Sequence, residues 1–141
     1  MVTDKKNDVK IDWGKSKNGL LMMRAFGTIE FNNLDVWRCI NYNPWRPEWD
    51  KNADEIYFMK KVGIGAYHMY SRTKKIYVVA PREYLLDLFT FQEKDGTIII
   101  IISSNDSLEK DLPDFKKGII RANVPIGGWI FRPDPENPQR T

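Results

Sequence analysis

Five consecutive isoleucines, residues 98–102, constrain this chain more than any other stretch. β-Branched side chains are stiff at χ1 and pack best on a pleated surface, so the run reads as a strand. Its unbroken apolar character requires at least partial cover on both faces, unlike an alternating surface strand. A buried helix is the competing reading of a short apolar run. Gly96 before it, the polar residues 103–106 after it and its shortness all favour the strand.

The rest of the chain supplies neighbours or cover for that strand. Further strands are expected at residues 9–13, 20–30, 55–62, 67–77, 83–91 and 119–131, with Gly27 a candidate bulge and residues 63–65 a tight glycine hairpin. Asn32 or Asn33 can cap a helix in which Leu34, Trp37, Cys39 and Ile40 recur at roughly helical spacing through Tyr42. Pro44 and Pro47 stop it, leaving a rigid connector over residues 43–50 with a short helical turn. Trp45 and Trp49 are expected to plug the core; stacking on a ligand is the alternative. In the long loop 105–117, Leu108, Leu112, Pro113 and Phe115 are expected to tuck the chain down rather than enter a bilayer. Residues 1–8 are expected to be disordered and the proline-rich tail 133–140 unstructured. Seven or eight strands joined mostly by short turns, with one clear helix, form an antiparallel α+β architecture. One helix leaves a curved sheet under-covered on one face.

Composition bounds the possibilities. The 141 residues, 42% hydrophobic, suit one compact domain over residues 9–141. A net charge of +3 gives no nucleic-acid footprint. The lysine pairs Lys5-Lys6, Lys60-Lys61, Lys74-Lys75 and Lys116-Lys117 read first as solvated strand ends and turns, and second as weak attraction to an anionic membrane. Cys39 is the only cysteine, so no internal disulfide can form and a reducing, cytoplasmic setting is expected. Residues 1–10 lack the apolar segment of a secretory signal, and no apolar run has the length to span a bilayer.

Chemistry-bearing residues are sparse. His68 is the only histidine and Cys39 has no CxxC partner, so neither a paired-histidine metal site nor a cofactor motif is present. A Cys39–His68 dyad requires folding to bring the two together, and Asp87 and Glu93 would need a cleft that no motif specifies. The pattern points to binding rather than to an enzyme.

Several short motifs, in order and at compatible spacing, resemble the START domain, the lipid-transfer family of the steroidogenic acute regulatory protein. Glu48-Trp49-Asp50 is similar to the Trp-Asp that ends the family's early helical connector. Pro81-Arg82-Glu83-Tyr84 resembles its Pro-Arg-Asp-Phe, and Ser103, Asn105 and Asp106 sit where the family has a polar strand end before a long loop. Lys117-Gly118-Ile119-Ile120-Arg121-Ala122 resembles its Gly-Val-Ile/Val-Arg-Ala, followed by Gly128-Trp129-Ile130 and Pro133.

The resemblance implies a helix-grip fold, a curved antiparallel sheet around a long C-terminal helix with a lipid-sized tunnel between them. It also implies that the family's last strand and C-terminal helix are absent from residues 1–141. The residues it turns toward the tunnel are Tyr67, Met69, Ser71, Tyr84, Leu86, Leu88, Thr90, Ile98, Ile100, Ile102, Val124 and Trp129; a filled core is the bland alternative. Arg82 and Arg121 occupy positions that pair with carboxylates in the family. The positions where its sterol carriers place an acid and an arginine read Ser71 and Leu88, so phospholipid or fatty acyl ligands fit better than a sterol. The implied function is uptake of one lipid, transfer between membranes and transient contact with a membrane surface. The alternatives are a helix-grip cyclase or hydrolase acting on a small apolar molecule, and a ligand-sensing docking module.

Overall fold

The computed structural model describes residues 2–4, 9–41, 43–111 and 118–141, and the side chains of all of these except residues 2–4, 43 and 111. Tyr42, Leu112, Pro113, Phe115 and the lysine pairs Lys5-Lys6 and Lys116-Lys117 lie outside the described residues.

Three strands come first: β1 (Val2–Asp4), β2 (Val9–Lys15) and β3 (Leu21–Phe26) form an antiparallel sheet in that order. Val2–Asp4 is thus paired where a disordered terminus was expected, with Val2 opposite Ile11. The second sheet is built from β4 (Ala53–Gly63), β5 (Ala66–Thr73), β6 (Arg82–Gln92), β7 (Ile98–Ser104) and β9 (Gly127–Phe131), each antiparallel to the next. The short β8 (Ile120–Arg121) runs parallel to the start of β6, so the strand expected over residues 119–131 is in fact two. Between the sheets lie α1 (Asn33–Asn41), a 3-10 turn at Asn43–Trp45 and α2 (Arg46–Trp49).

Local chemistry accounts for the helices and turns. Asn32 caps α1, its Oδ1 accepting the Asp35 amide at 2.9 Å while its Nδ2 donates to the Asp35 carboxylate at 2.6 Å. The Asn33 side chain donates to the Gly96 carbonyl at 2.7 Å, which ties α1 to the β6–β7 turn. In the β4–β5 hairpin Gly63 faces Ala66 across a two-residue turn. Gly65 there has φ +66, and its carbonyl accepts the Thr90 amide at 2.7 Å. A Cβ on Gly65 would collide with the Thr90 carbonyl oxygen.

The isoleucine run is β7, flanked by β6 and β9, with Ile98 and Ile100 buried and the other three half-buried. Register sets which faces are covered. On the inner face Leu88, Ile98, Ile100 and Phe131 pack with Val36 of α1, and Trp37, Ile40, Tyr67, Met69 and Ile102 surround them. On the outer face Tyr70 and Leu85, the latter 1% exposed, pack with Leu108 from the 3-10 turn Asp106–Asp111. Leu108 therefore does tuck the loop down.

Beside that outer cluster lies a buried ion pair. Arg121 Nη2 meets Glu83 Oε1 at 2.9 Å, and the Tyr70 hydroxyl donates to Glu83 Oε2 at 3.1 Å. Arg121 thus has the carboxylate its motif implies. Arg82 does not: its guanidinium donates to the Ala80 carbonyl, and no carboxylate among the described residues pairs with it. Two further expectations are corrected. Trp45 and Trp49 are 55% and 42% exposed, too open for core plugs; Arg46 stacks over the Trp49 ring at 4.4 Å. The tail is not unstructured, because Asp134 and Asn137 cap successive turns through their side chains and Arg140 bridges back to Asp134 at 2.6 Å. It ends with Thr141 exchanging backbone hydrogen bonds with Ile29.

Two predictions follow from these contacts. Gly65→Ala should lower stability by about 2 kcal/mol in denaturant titration, by straining the turn and displacing Thr90. Burial, and then the adjacent Glu83 carboxylate, push the Tyr70 phenol up to about 12. Its folded value lies above its unfolded one, so Tyr70 contributes stability below pH 10 that is lost as pH rises toward 12. Tyr70→Phe should flatten the stability profile over that window.

Candidate functional site

The concave site begins with strand parity. Opposed pairs share a face, so Ser71 and Tyr84, Met69 and Leu86, Tyr67 and Leu88 stand together across β5 and β6. The same face continues through Leu88 and Ile102, then Thr90 and Ile100, into β7, and from Ile100 to Trp129 of β9. α1 packs on part of this face through Val36, Trp37 and Ile40, and beside it lies an open cavity of about 300 Å³.

Nine of the twelve expected residues line that cavity: Met69, Ser71, Tyr84, Leu86, Leu88, Ile100, Ile102, Val124 and Trp129. The other three do not. Tyr67 and Ile98 pack in the cluster formed with Val36 and Trp37 of α1, and the Tyr67 ring stacks on Phe58 at 4.6 Å. The Thr90 hydroxyl is buried with no hydrogen-bond partner among the described residues, as is Trp37 Nε1.

The cavity wall also holds residues that alternation did not single out. Ile40 comes from α1, and Ala53 and Ile56 from β4, whose pairing with β5 shifts register at three places. These bulges break period-2 reading along β4, and no local sequence signal marks them. At the end where β4 starts and β5 finishes, the lining becomes polar, with Asn41, Arg46, Asp50, Asn52, Arg72 and Thr73. The charges there are paired. Arg46 meets Asp50 at 2.8 Å, while Arg72 meets Asp54 at 2.7 Å and Glu55 at 2.9 Å. The result is a greasy floor with a hydrogen-bonding rim, suited to an amphiphile.

A second hollow of about 530 Å³ shares Ile40 and Trp129 with the first and is lined otherwise by Ile29, Phe31, Asp35, Val36, Cys39 and Trp49. Cys39, on α1, therefore lines this second hollow. His68 stands on the opposite, convex face, its Nδ1 2.7 Å from Asp87 Oδ1, with Asn105 donating to both Asp87 oxygens. A Cys39–His68 dyad does not form. Among the described residues no cluster of three His, Cys, Asp or Glu side chains could hold a metal ion, and no helix is long and apolar enough to cross a membrane.

Solved structures share this fold. Human StAR-related lipid transfer protein 5 superposes with a TM-score of 0.82 at 21% identity, over 94% of this chain and 63% of that one. The fold is that of a START domain. A StAR-related lipid transfer protein from Xanthomonas axonopodis matches with a TM-score of 0.76 at 17% identity, over 95% of this chain and 73% of that one. The lipid transfer and protein localization domain of human StarD13 gives 0.76 at 12% identity, over 94% and 64%. The chain thus has the START-type helix-grip α+β fold and spans less than two thirds of the first of these relatives. No family sequence model and no curated protein sequence matches it.

The contrast between a filled convex face and a hollow concave one is testable. Leu85→Ala should cost about 3 kcal/mol in denaturant titration, because it empties a packed site. Ser71→Leu, projecting into the hollow, should cost less than about 1 kcal/mol.

Proposed function

We propose that this chain binds a lipid in the concave-face cavity and that the protein carries lipids between membranes. The observation that carries the reading is the meeting of aliphatic side chains from β5, β6 and β7 on one face to line an open cavity beside α1. Each buried methylene contributes roughly 0.8 kcal/mol, so acyl chains bind such a wall without polar contacts. The nine residues Met69, Ser71, Tyr84, Leu86, Leu88, Ile100, Ile102, Val124 and Trp129 form the proposed lipid-facing set. The named activity of the START-fold neighbours, lipid transfer, supports the same reading. Ser71 and Leu88 bring no charge to the floor, which favours a phospholipid or fatty acyl ligand over a sterol held by a buried ion pair. The cycle needs no chemistry: the protein meets a membrane transiently, exchanges one lipid and returns to the cytoplasm.

Native mass spectrometry of protein purified without detergent should reveal one lipid mass per chain, and vesicle-to-vesicle assays should show its movement. Absence of both bound lipid and transfer would overturn the reading.

A further inference from the structure

We propose that the convex face of β6, β7 and β9 docks a second copy of this chain, giving a back-to-back homodimer whose concave cavities stay open on its two outer sides. Unbroken isoleucine requires cover on both faces of a strand. The concave face of β7 has α1 and the cavity wall. Its convex face carries Ile99 and Ile101, which join neither buried cluster of the chain. Register extends this patch. Phe91, Ile99 and Ile130 stand in one row across β6, β7 and β9, and Phe89, Ile101 and Gly128 in the next. By alternation both rows share the side of Leu85 and Asp87, away from the cavity. Phe89, Phe91 and Ile130 are 45%, 46% and 58% exposed, because Leu108 seals only Tyr70 and Leu85 further along that face. The water-facing side of an antiparallel sheet is ordinarily polar, and a contiguous apolar patch there marks a contact surface.

The pattern within the rows selects the partner. A two-fold axis between two such sheets, nearly parallel to β7, sets β6 of each copy over β9 of the other and β7 over its own counterpart. Phe91 then meets Ile130 of the second copy. Phe89 meets Gly128 of the second copy, where a Cβ would collide with the Ile100 carbonyl, so the row keeps a notch that an aromatic ring can fill. Ile99 and Ile101 lie along the axis and meet themselves. Each row is its own complement when reversed, as an isologous contact requires. Charge agrees with the same operation. Glu93 follows β6, its amide donating to the Thr97 carbonyl at 2.8 Å, and Arg132 follows β9 at the same end of the patch. Both are exposed, and neither forms an ion pair among the described residues. The two-fold brings Glu93 of each copy to Arg132 of the other, so the contact gains two symmetric ion pairs at its rim.

Sedimentation velocity at rising protein concentration reads the association directly. The wild type should pass from one chain to two. Phe91→Glu and Ile130→Glu, each at an exposed site that occurs twice in the contact, should weaken pairing on the order of tenfold or more while circular dichroism stays that of the wild type. Glu93→Arg and Arg132→Glu should each weaken it, and the two combined should restore it. These charge variants touch only exposed residues and decide the matter on their own. Trp13→Ser, on the exposed N-terminal sheet, is the control and should pair as the wild type does. The proposal is overturned if the wild type remains one chain throughout, if Phe91→Glu and Ile130→Glu pair as tightly as it does, or if the combined charge exchange fails to restore pairing. Loss of the dimer in Trp13→Ser would overturn it equally, by placing the contact on the other sheet.

Discussion

The alternation along β6 is the constraint on which everything else rests. Leu85 points to the convex face and is sealed there by Tyr70 and Leu108; Leu86 and Leu88 point the other way, into the cavity wall. A slip of one residue in pairing with β5 or β7 would exchange these faces, burying Asp87 in the apolar floor and turning leucines to solvent. Several backbone contacts pin the register. Thr90 bonds Gly65, Asn105 bonds the Leu85 carbonyl, and Gly128, at φ +154, lets β9 approach the Ile100 carbonyl where a Cβ would collide. The His68–Asp87–Asn105 cluster adds a polar clasp between β5, β6 and the following loop.

The two faces of the sheet differ in how they are completed. The convex face combines an apolar cluster with the buried Glu83–Arg121 pair. Removing either charge would strand the other in a poorly solvated site, so the pair fixes how β8 meets β6. The concave face is only partly sealed by α1, which packs on Leu88 and Ile100, and an open cavity lies beside it along Leu86, Leu88, Ile100 and Ile102. Apolar groups left facing a cavity forgo dispersion contacts, and a lipid chain would restore them. The paired charges at the rim leave hydrogen-bonding groups for a polar head without placing a bare ion on the floor.

Much of this was legible in the residues. The isoleucine run read best as a strand covered on both sides, and of the residues that the family resemblance turned inward, seven on β5, β6 and β7 line the cavity together with Val124 and Trp129. What escaped has identifiable causes. Bulges in β4 moved Ala53 and Ile56 onto the wall without any local signal. Trp45 and Trp49 have the hydrophobicity of core residues, but the proline-bound connector holds them at the surface, where Arg46 stacks on Trp49. Tail residues 133–140 read as unstructured because proline masked the Asx turns of Asp134 and Asn137. Tyr67, Thr90 and Ile98 have the right parity but lie at the other end of the concave face, outside the cavity. Parity says which face a residue takes and nothing about how far a helix extends over it.

The most direct test is a spin-labelled fatty acid titrated into protein with isotope-labelled Leu and Ile methyl groups. Paramagnetic broadening should fall on Leu86, Leu88, Ile100 and Ile102 and spare Leu85, although Leu85 and Leu86 are adjacent in the chain. Uniform broadening, broadening centred on Leu85, or none at saturating ligand would contradict a lipid seated against the concave face.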